Sequence, residues 1–170
     1  MTAEGLSRGA GSLSHMNVYI LRHARADFGS KIEDPPVSPE GEKQLTHVLE
    51  LAKKEFGFKP TLVVTSPIRR ARNTADIVKK KFGGGLRVVV DKCLMPESKP
   101  ADVLALLSTL KTEENVVLVS HMPLIFELLY ELIGGRGEVE LLNGSIAAIE
   151  FRKRAQAGKG KLVWLIQPRS

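Results

Sequence analysis

The chain has 170 residues, of which 43% are hydrophobic and 26% are charged, and its formal net charge is +6. This length suits one ordinary domain with a real core, and the composition excludes a disordered chain. A lone cysteine, Cys93, excludes an internal disulfide and favours a cytoplasmic protein, no spaced Cys/His set indicates zinc, and the apolar runs are too short to cross a membrane. The excess of Lys and Arg leaves three interpretations open: the protein binds nucleic acid, it binds a small anionic substrate, or it only has a solvated basic surface.

The chain begins with a stretch that differs in composition from the rest. Residues 1–16 are rich in Gly, Ser and Ala and show no hydrophobic periodicity. We interpret them as a disordered leader or an expression remnant, and no apolar core follows a charged start as in a secretory signal. Residues 17–168 are interpreted as a single domain.

Apolar runs of strand length then alternate with helical patterns. In chain order we predict strands at 18–21, 62–64, 88–90, 116–119, 146–151 and 162–166. Helices are predicted from Ser38, as N-cap, to about Gly57, then at 68–82 and 101–110, and from Pro123 to just before Gly134. Continuous apolar strands joined by helices predict an α/β fold with three α/β/α layers and a mostly parallel sheet. The last two strands predict an antiparallel edge hairpin.

Polar residues follow three of the predicted parallel strands. Arg22 and His23 follow the first, Arg69 comes soon after the second, and His121 follows the fourth. In open parallel sheets, ligands bind outside the carboxyl ends of the strands, so we expect two arginines and two histidines to meet at one edge.

This set of side chains predicts a phosphate pocket. Guanidinium groups match phosphate oxygens, and helix starts near Pro67 and Pro123 add backbone N–H donors. The set lacks the carboxylates that complete most metal sites. A neutral imidazole can attack phosphorus and carry the phosphoryl group, while arginines stabilise its oxygens. A P-loop motif is missing, and Cys93 lies outside any loop that would cradle phosphate.

The motifs resemble those of the histidine phosphatase superfamily. Its Arg-His-Gly hallmark is matched by Arg-His-Ala at 22–24, and its Ser-Pro-x-x-Arg-Ala-x-x-Thr-Ala signature by residues 66–75. A third motif, a strand ending in Ser/Gly-His, is matched at 120–121, and the helix start at 38–41 fits a fourth. The resemblance spans about 18–166 and implies a phosphatase of this superfamily.

The resemblance also implies roles for individual residues. His23 would be the phosphorylated nucleophile, and Arg22, Arg69 and His121 would bind the phosphate, with no metal and no cofactor. The family's glycine after the nucleophile is Ala24 here. Glycine permits a backbone torsion or a close approach that a Cβ hinders, but a methyl group is the smallest possible intrusion, so an active site is still expected.

The general acid is predicted in the segment after the third strand. Many members carry a proton-donating Glu there, and Glu97 is our candidate, with Asp27 and Asp91 as weaker options. A phosphohistidine substrate needs such an acid less, because imidazole leaves more readily than an alkoxide.

The branch is suggested by the short connection between the third and fourth strands. Residues 91–115 leave room for one short helix, whereas many members insert a cap there. This plan resembles SixA-type phosphohistidine phosphatases, whose open pocket suits a phosphohistidine on a protein surface. The implied partner is a phosphorylated protein and not nucleic acid or a membrane, and the implied state is a monomer or weak dimer.

Two other functions remain open at this point. One is a small-molecule phosphomonoesterase of the same superfamily. The other is a non-catalytic module that binds phosphate or nucleic acid through the basic turn at 152–161. The turn has no interleaved aromatic residues, which favours a solvated loop over a nucleic-acid surface.

Overall fold

The computed structural model describes residues 15–29, 31–135 and 137–169. The strands of these residues are Met16–Arg22 (β1), Leu62–Thr65 (β2), Arg87–Val90 (β3), Asn115–Ser120 (β4), Ile146–Phe151 (β5) and Lys161–Ile166 (β6). Their α-helices are Pro39–Phe56 (α1), Arg69–Phe82 (α2), Pro100–Ser108 (α3) and Leu124–Leu132 (α4). Every predicted strand and helix is present, with its ends moved by no more than two residues.

The predicted leader lies mostly outside the described residues, which begin at position 15. Met16, its last residue, is the first residue of β1 and is fully buried. The folded domain therefore begins slightly earlier than the composition indicates.

One six-stranded sheet has the order β3-β2-β4-β1-β5-β6. Neighbours among β1 to β4 are parallel, and β5 pairs antiparallel with both β1 and β6. The predicted parallel sheet with an antiparallel edge hairpin is confirmed. Arg22 lies opposite Ser120, and Thr65 lies opposite Val119, so β1, β2 and β4 end almost level. The residues that follow these strands therefore share one edge of the sheet.

Helices cover both faces of the sheet. On one face, α1 and α2 bury an apolar stripe that includes Leu45, Leu49, Ala71 and Val78. On the other face, α3 and α4 bury residues such as Val103, Leu107, Leu124 and Leu128. Two apolar layers on a shared sheet make the three-layer arrangement that the alternating sequence pattern predicts.

Strand β3 differs from the buried strand that its apolar run suggests. All four residues are exposed, and Val88, Val89 and Val90 are 37%, 45% and 53% accessible. The reason is its place at the edge of the sheet, where only β2 pairs with it. The valine run therefore reflects β propensity and not burial.

The connection from β3 to β4 contains no cap domain. It holds a 3-10 turn at Lys92–Leu94 and helix α3. The edge that carries the polar residues is therefore not covered by an inserted domain, as the sequence predicts. None of the helices in the described part of the chain is long and apolar enough to cross a membrane.

The basic turn between β5 and β6 is a surface feature. Arg152, Lys153, Lys159 and Lys161 are exposed. Arg154 donates from Nη1 to the carbonyl oxygens of Ser108 and Leu110, where α3 ends. This arrangement is that of a solvated loop in which one arginine stabilises a helix C-terminus.

Candidate active site

His23 is held at the end of β1 by hydrogen bonds to β4 and to the segment just before β5. Its N–H donates to Ser120 O, at 3.1 Å. On the other side Gly144 N–H is 3.1 Å from His23 O, and the Asn143 side-chain amide donates to the same oxygen at 3.2 Å. The side chain is 5% exposed, so its position and orientation are fixed by the sheet.

The imidazole of His23 has a defined tautomer. Nδ1 lies 2.8 Å from Ala24 O, and because a carbonyl oxygen only accepts, Nδ1 carries the proton. Nε2 then holds the lone pair, which accepts from Arg70 Nε–H at 3.3 Å. Burial lowers the pKa of His23 to about 4, and the charges of Arg70 and Arg22 act in the same direction. The ring is therefore neutral at pH 7, with a lone pair available at Nε2.

Arg70 is the guanidinium that contacts this lone pair. It lies over the ring of Phe28, with 5.5 Å between the guanidinium carbon and the ring centroid. Its Nη1 is 3.9 Å from Asp34 Oδ1, and its side chain is only 19% exposed. A half-buried arginine held from three sides is preorganised to bind an anion at His23.

The prediction that Arg69 lies in the pocket is corrected by this geometry. Arg69 is exposed, and its backbone N–H, not its guanidinium, donates to Asp34 Oδ2 at 3.3 Å. Adjacent residues of a helix point about 100° apart, so only one of the two arginines can face the strand ends. Alignment of the family signature at Ser66 also places its arginine on Arg70 and not on Arg69.

His121 lies beside His23, as the sequence predicts. The two ring centroids are 5.0 Å apart, and His121 Nε2 is 2.6 Å from Ser66 Oγ. That oxygen already accepts from Ile68 N–H, so its hydroxyl can donate to Nε2 and leave the proton on Nδ1. Nδ1 is buried and has no hydrogen-bond partner among the described residues. Burial, followed by the charges of His23, Arg70 and Arg22, lowers the pKa of His121 to about 3.

Arg22 supplies a second guanidinium next to His23. Its Nη1 donates to Leu141 O at 2.6 Å, which fixes the side chain against the segment before β5. Its Nε is buried and has no partner within the described part of the chain. An unpaired buried donor is costly, and an anion bound at this edge would satisfy it.

Ala24 is compatible with the turn in which the family has glycine. Every residue with positive φ in the described part of the chain is a glycine, so Ala24 adopts an ordinary backbone conformation. Its N–H donates to Thr74 Oγ1 at 2.9 Å, which ties the turn to α2. The close approach is instead at Gly41 in α1, where a Cβ would collide with the backbone carbonyl of Arg25.

Among the described residues, neither histidine is hydrogen-bonded to the predicted general acid. Glu97 is exposed, and it follows a turn that Ser120 Oγ holds through Leu94 O, at 2.7 Å. Asp91 accepts from Cys93 N–H. Asp34, which sequence reasoning missed, is the carboxylate that meets Arg70. No group of three or more His, Cys, Asp or Glu side chains in the described residues is placed to hold a metal ion.

Two buried histidines, two arginines and the order of the motifs agree with one family. Residues 18–96 match the model of the histidine phosphatase superfamily, branch 1. Over these residues, which are just under half of its length, the chain is similar to the histidine phosphatase superfamily. It is a phosphatase of an α/β fold that solved members of this superfamily share.

Relatives of this phosphatase include proteins of the SixA type. A phosphohistidine phosphatase SixA homologue from Haemophilus influenzae is 27% identical over 146 residues, which cover 79% of this chain and 87% of that protein. A structure of the protein histidine phosphatase SixA with tungstate is 25% identical, has a TM-score of 0.78, and covers 90% of this chain and 97% of its own. A SixA structure from Agrobacterium tumefaciens, at 23% identity and a TM-score of 0.75, covers 90% and 98%. The chain resembles the SixA-type branch.

The two depressed histidine pKa values make the stability of the phosphatase depend on pH. In the unfolded chain both imidazoles bind protons near their ordinary pKa of 6.5, whereas in the folded chain they stay neutral down to about 4 and about 3. As the pH falls through 6.5, the unfolded state therefore binds protons before the folded state does. Below that pH the free energy of unfolding decreases. Between pH 7 and pH 5 we expect a loss of roughly 2–4 kcal/mol in the free energy of unfolding. Urea titrations at both pH values measure this loss.

The His121→Gln variant is the matched control for this pH dependence. It removes one of the two titrating groups, so it should show about half of the wild-type loss between pH 7 and pH 5. An unchanged loss in this variant would show that other groups cause the effect.

Proposed function

We propose that this phosphatase removes the phosphoryl group from phosphohistidine on a protein, without a metal ion, through a phosphohistidine intermediate on His23. The observation that carries the proposal is the neutral His23 imidazole, whose Nε2 lone pair faces Arg70. Such a ring is a nucleophile at neutral pH and needs neither a base nor a metal to activate it.

The reaction has two displacements at phosphorus. In the first, Nε2 of His23 forms a bond to phosphorus while the bond to the substrate imidazole breaks, and the leaving nitrogen takes up a proton. In the second, the oxygen of water forms a bond to phosphorus and the bond to Nε2 breaks, which releases phosphate. Arg70 Nε–H now occupies the lone pair of Nε2, so it must turn to the incoming phosphoryl oxygens as the substrate binds.

The phosphoryl oxygens find further donors at the same edge. Arg22 Nε and His121 Nδ1 are buried groups without a partner among the described residues, and both lie on side chains next to His23. A phosphoryl group offers oxygens that accept from both. The tungstate bound in the SixA structure is a tetrahedral oxyanion like phosphate, which supports an anion pocket in this fold.

Exposed apolar side chains on the loops around the site favour a protein substrate. We call Phe28, Ile32, Met122 and Leu142 the apolar rim, and each is 38% to 65% exposed. Phe28 lies against Arg70, and Ile32 lies in the chain between Phe28 and Asp34, which both contact Arg70. Met122 directly follows His121, and Leu142 directly follows Leu141, whose carbonyl oxygen accepts from Arg22. A small sugar phosphate would leave such a rim in water, whereas a protein surface would cover it.

The test compares a phosphohistidine protein with p-nitrophenyl phosphate and sugar phosphates. We expect kcat/KM to favour the phosphoprotein by about 100-fold, which corresponds to burial of roughly 110 Å² of apolar surface. Equal or higher kcat/KM for the small esters would contradict the proposed substrate and favour a small-molecule phosphomonoesterase.

Rim variants separate docking from chemistry. Ile32→Ser and Leu142→Ser should each lower kcat/KM for the phosphoprotein several-fold and leave p-nitrophenyl phosphate turnover unchanged, because neither side chain belongs to the phosphate pocket. Val163→Ser is the matched control, since Val163 is a similarly exposed residue on β6. Equal losses in the control would contradict a role for the rim.

We further propose Glu97 as the group that protonates the leaving atom. Glu97→Gln should lower kcat/KM for phenyl phosphate by about 100-fold and that for p-nitrophenyl phosphate by less than about threefold, because p-nitrophenolate leaves without a proton. Asp34→Asn is the matched carboxylate variant. If Asp34→Asn and not Glu97→Gln shows the leaving-group dependence, the acid is Asp34.

Two further expectations from the sequence stay predictions. A reducing, cytoplasmic setting rests on the lone Cys93. The second is that the chain does not bind nucleic acid. It is supported by Arg154 of the basic turn, whose guanidinium donates to the end of α3.

A further inference from the structure

We propose that two copies of this chain associate through strand β3, which pairs antiparallel with itself across a two-fold axis at Val89. Such pairing is independent of the proposed reaction. Strand β3 lies at an edge of the sheet, and its three consecutive valines are between 37% and 53% accessible. Exposed apolar edge strands are templates for pairing with another strand.

The backbone of β3 shows which groups are free to pair. Arg87 N–H donates to Thr61 O and Asp91 N–H donates to Thr65 O, both on the side of β2. Because hydrogen bonds alternate along a strand, Val89 also faces β2, while Val88 and Val90 direct their N–H and C=O groups outward. A second strand must therefore bond to Val88 and Val90.

These two residues are matched by a second copy of the same strand. When Val89 lies opposite Val89 of the second copy, each Val88 lies opposite the other Val90. In both pairs the backbone N–H and C=O groups of the two residues point towards the other strand. Each pair can therefore form two hydrogen bonds, so the two strands are joined by four hydrogen bonds. The neighbouring residue Leu86 already donates its N–H to Gly83 O, which disfavours a register shifted towards it.

Charge complementarity selects the same register. With Val89 on the axis, Arg87 of each copy lies opposite Asp91 of the other, at a non-hydrogen-bonded position where side chains are close. Arg87 also pairs with Glu114 of its own chain, and the Asp91 carboxylate accepts from Cys93 N–H through one oxygen. The guanidinium has further donors and the carboxylate a second oxygen, so both can form the cross-strand pair.

Side chains on both faces of the extended sheet would lose solvent exposure. Val88 is level with Val63 on the α1–α2 face, and Val89 is level with Val64 on the α3–α4 face. The joined sheet would have twelve strands, and the two-fold axis would put the two active sites at opposite edges. Two phosphoproteins could then bind without colliding.

The test is sedimentation velocity of the full chain over a range of concentrations. Because the interface is small, we expect a dimer that dissociates at about 10–100 µM. A chain that stays monomeric up to about 1 mM would contradict the proposal, and so would a dimer whose dissociation constant is unchanged by the variants below.

The decisive variants are Val89→Lys and a charge exchange. Val89→Lys puts two ammonium groups face to face on the axis and should raise the dissociation constant at least about 10-fold, while p-nitrophenyl phosphate turnover per chain stays unchanged. Arg87→Asp should weaken the dimer, and Arg87→Asp combined with Asp91→Arg should restore it. Failure of the double variant to recover, with both variants folded by circular dichroism, would contradict the register.

Discussion

The His23→Ala variant is expected to lose at least about 10⁴-fold in kcat, for p-nitrophenyl phosphate and for a phosphohistidine protein alike. The reason is that, in the proposed mechanism, Nε2 of His23 forms the bond to phosphorus, and no neighbouring group offers a comparable neutral lone pair. His121, whose ring centroid is 5.0 Å away, has its Nε2 bonded to Ser66 Oγ. Steady-state kinetics on variants with matched thermal stability measure the loss.

His47→Ala is the control for this variant. His47 lies on α1 with its side chain exposed. Its removal should leave kcat unchanged. A His23→Ala variant that retains more than about 1% of wild-type kcat would contradict nucleophilic catalysis by His23.

The second large effect is expected for Arg70→Ala, which should lower kcat/KM by about 10³-fold. Arg70 donates to Nε2 of His23 in the resting enzyme and would donate to the phosphoryl oxygens during transfer. Arg70→Lys should not restore the activity, because an ammonium group lacks the planar fork that contacts two oxygens.

Arg69→Ala is the matched control and should change kcat/KM by less than about threefold. The two arginines are adjacent, have the same charge, and lie in the first turn of α2, so the comparison isolates position. A larger loss for Arg69→Ala than for Arg70→Ala would contradict the site geometry described above.

The sequence could predict which edge of the sheet carries the site. His23 and His121 directly follow apolar strands, and parallel strands end level with one another, so their meeting follows from topology. The strands themselves were predictable because Val18 to Leu21 and Val116 to Val119 are uninterrupted apolar runs.

Arg70 was missed although the sequence contains a signal for it. Arg70 precedes the buried Thr74 by four residues, which places both on the inward side of α2, whereas Arg69 is in phase with Asn73. Helical phase is uncertain in the first turn, where a stripe has only begun. The first buried residue of α2 is Ala71. It lies one residue after Arg70 and two residues after Arg69, and neither spacing shows which arginine shares its face.

Asp34 could not be predicted to meet Arg70. It lies in the irregular connection between β1 and α1, where no periodicity relates a residue to the sheet. Its contacts join positions more than thirty residues apart, to the backbone of Arg69 and the guanidinium of Arg70. Such pairings depend on the path of a loop, which its composition does not encode. The exposure of β3 was missed for a related reason, since strand order and not hydrophobicity decides which strand is at an edge.

If His23 carries the phosphoryl group as proposed, the phosphorylated enzyme can be trapped. The phosphatase would be mixed with a phosphohistidine protein that carries a radioactive phosphoryl group, quenched in alkali, and digested for peptide mapping. Nucleophilic catalysis by His23 predicts an acid-labile, base-stable label on His23, present in His47→Ala and absent from His23→Ala. Label on another residue, or turnover of the substrate without any labelled enzyme, would contradict it.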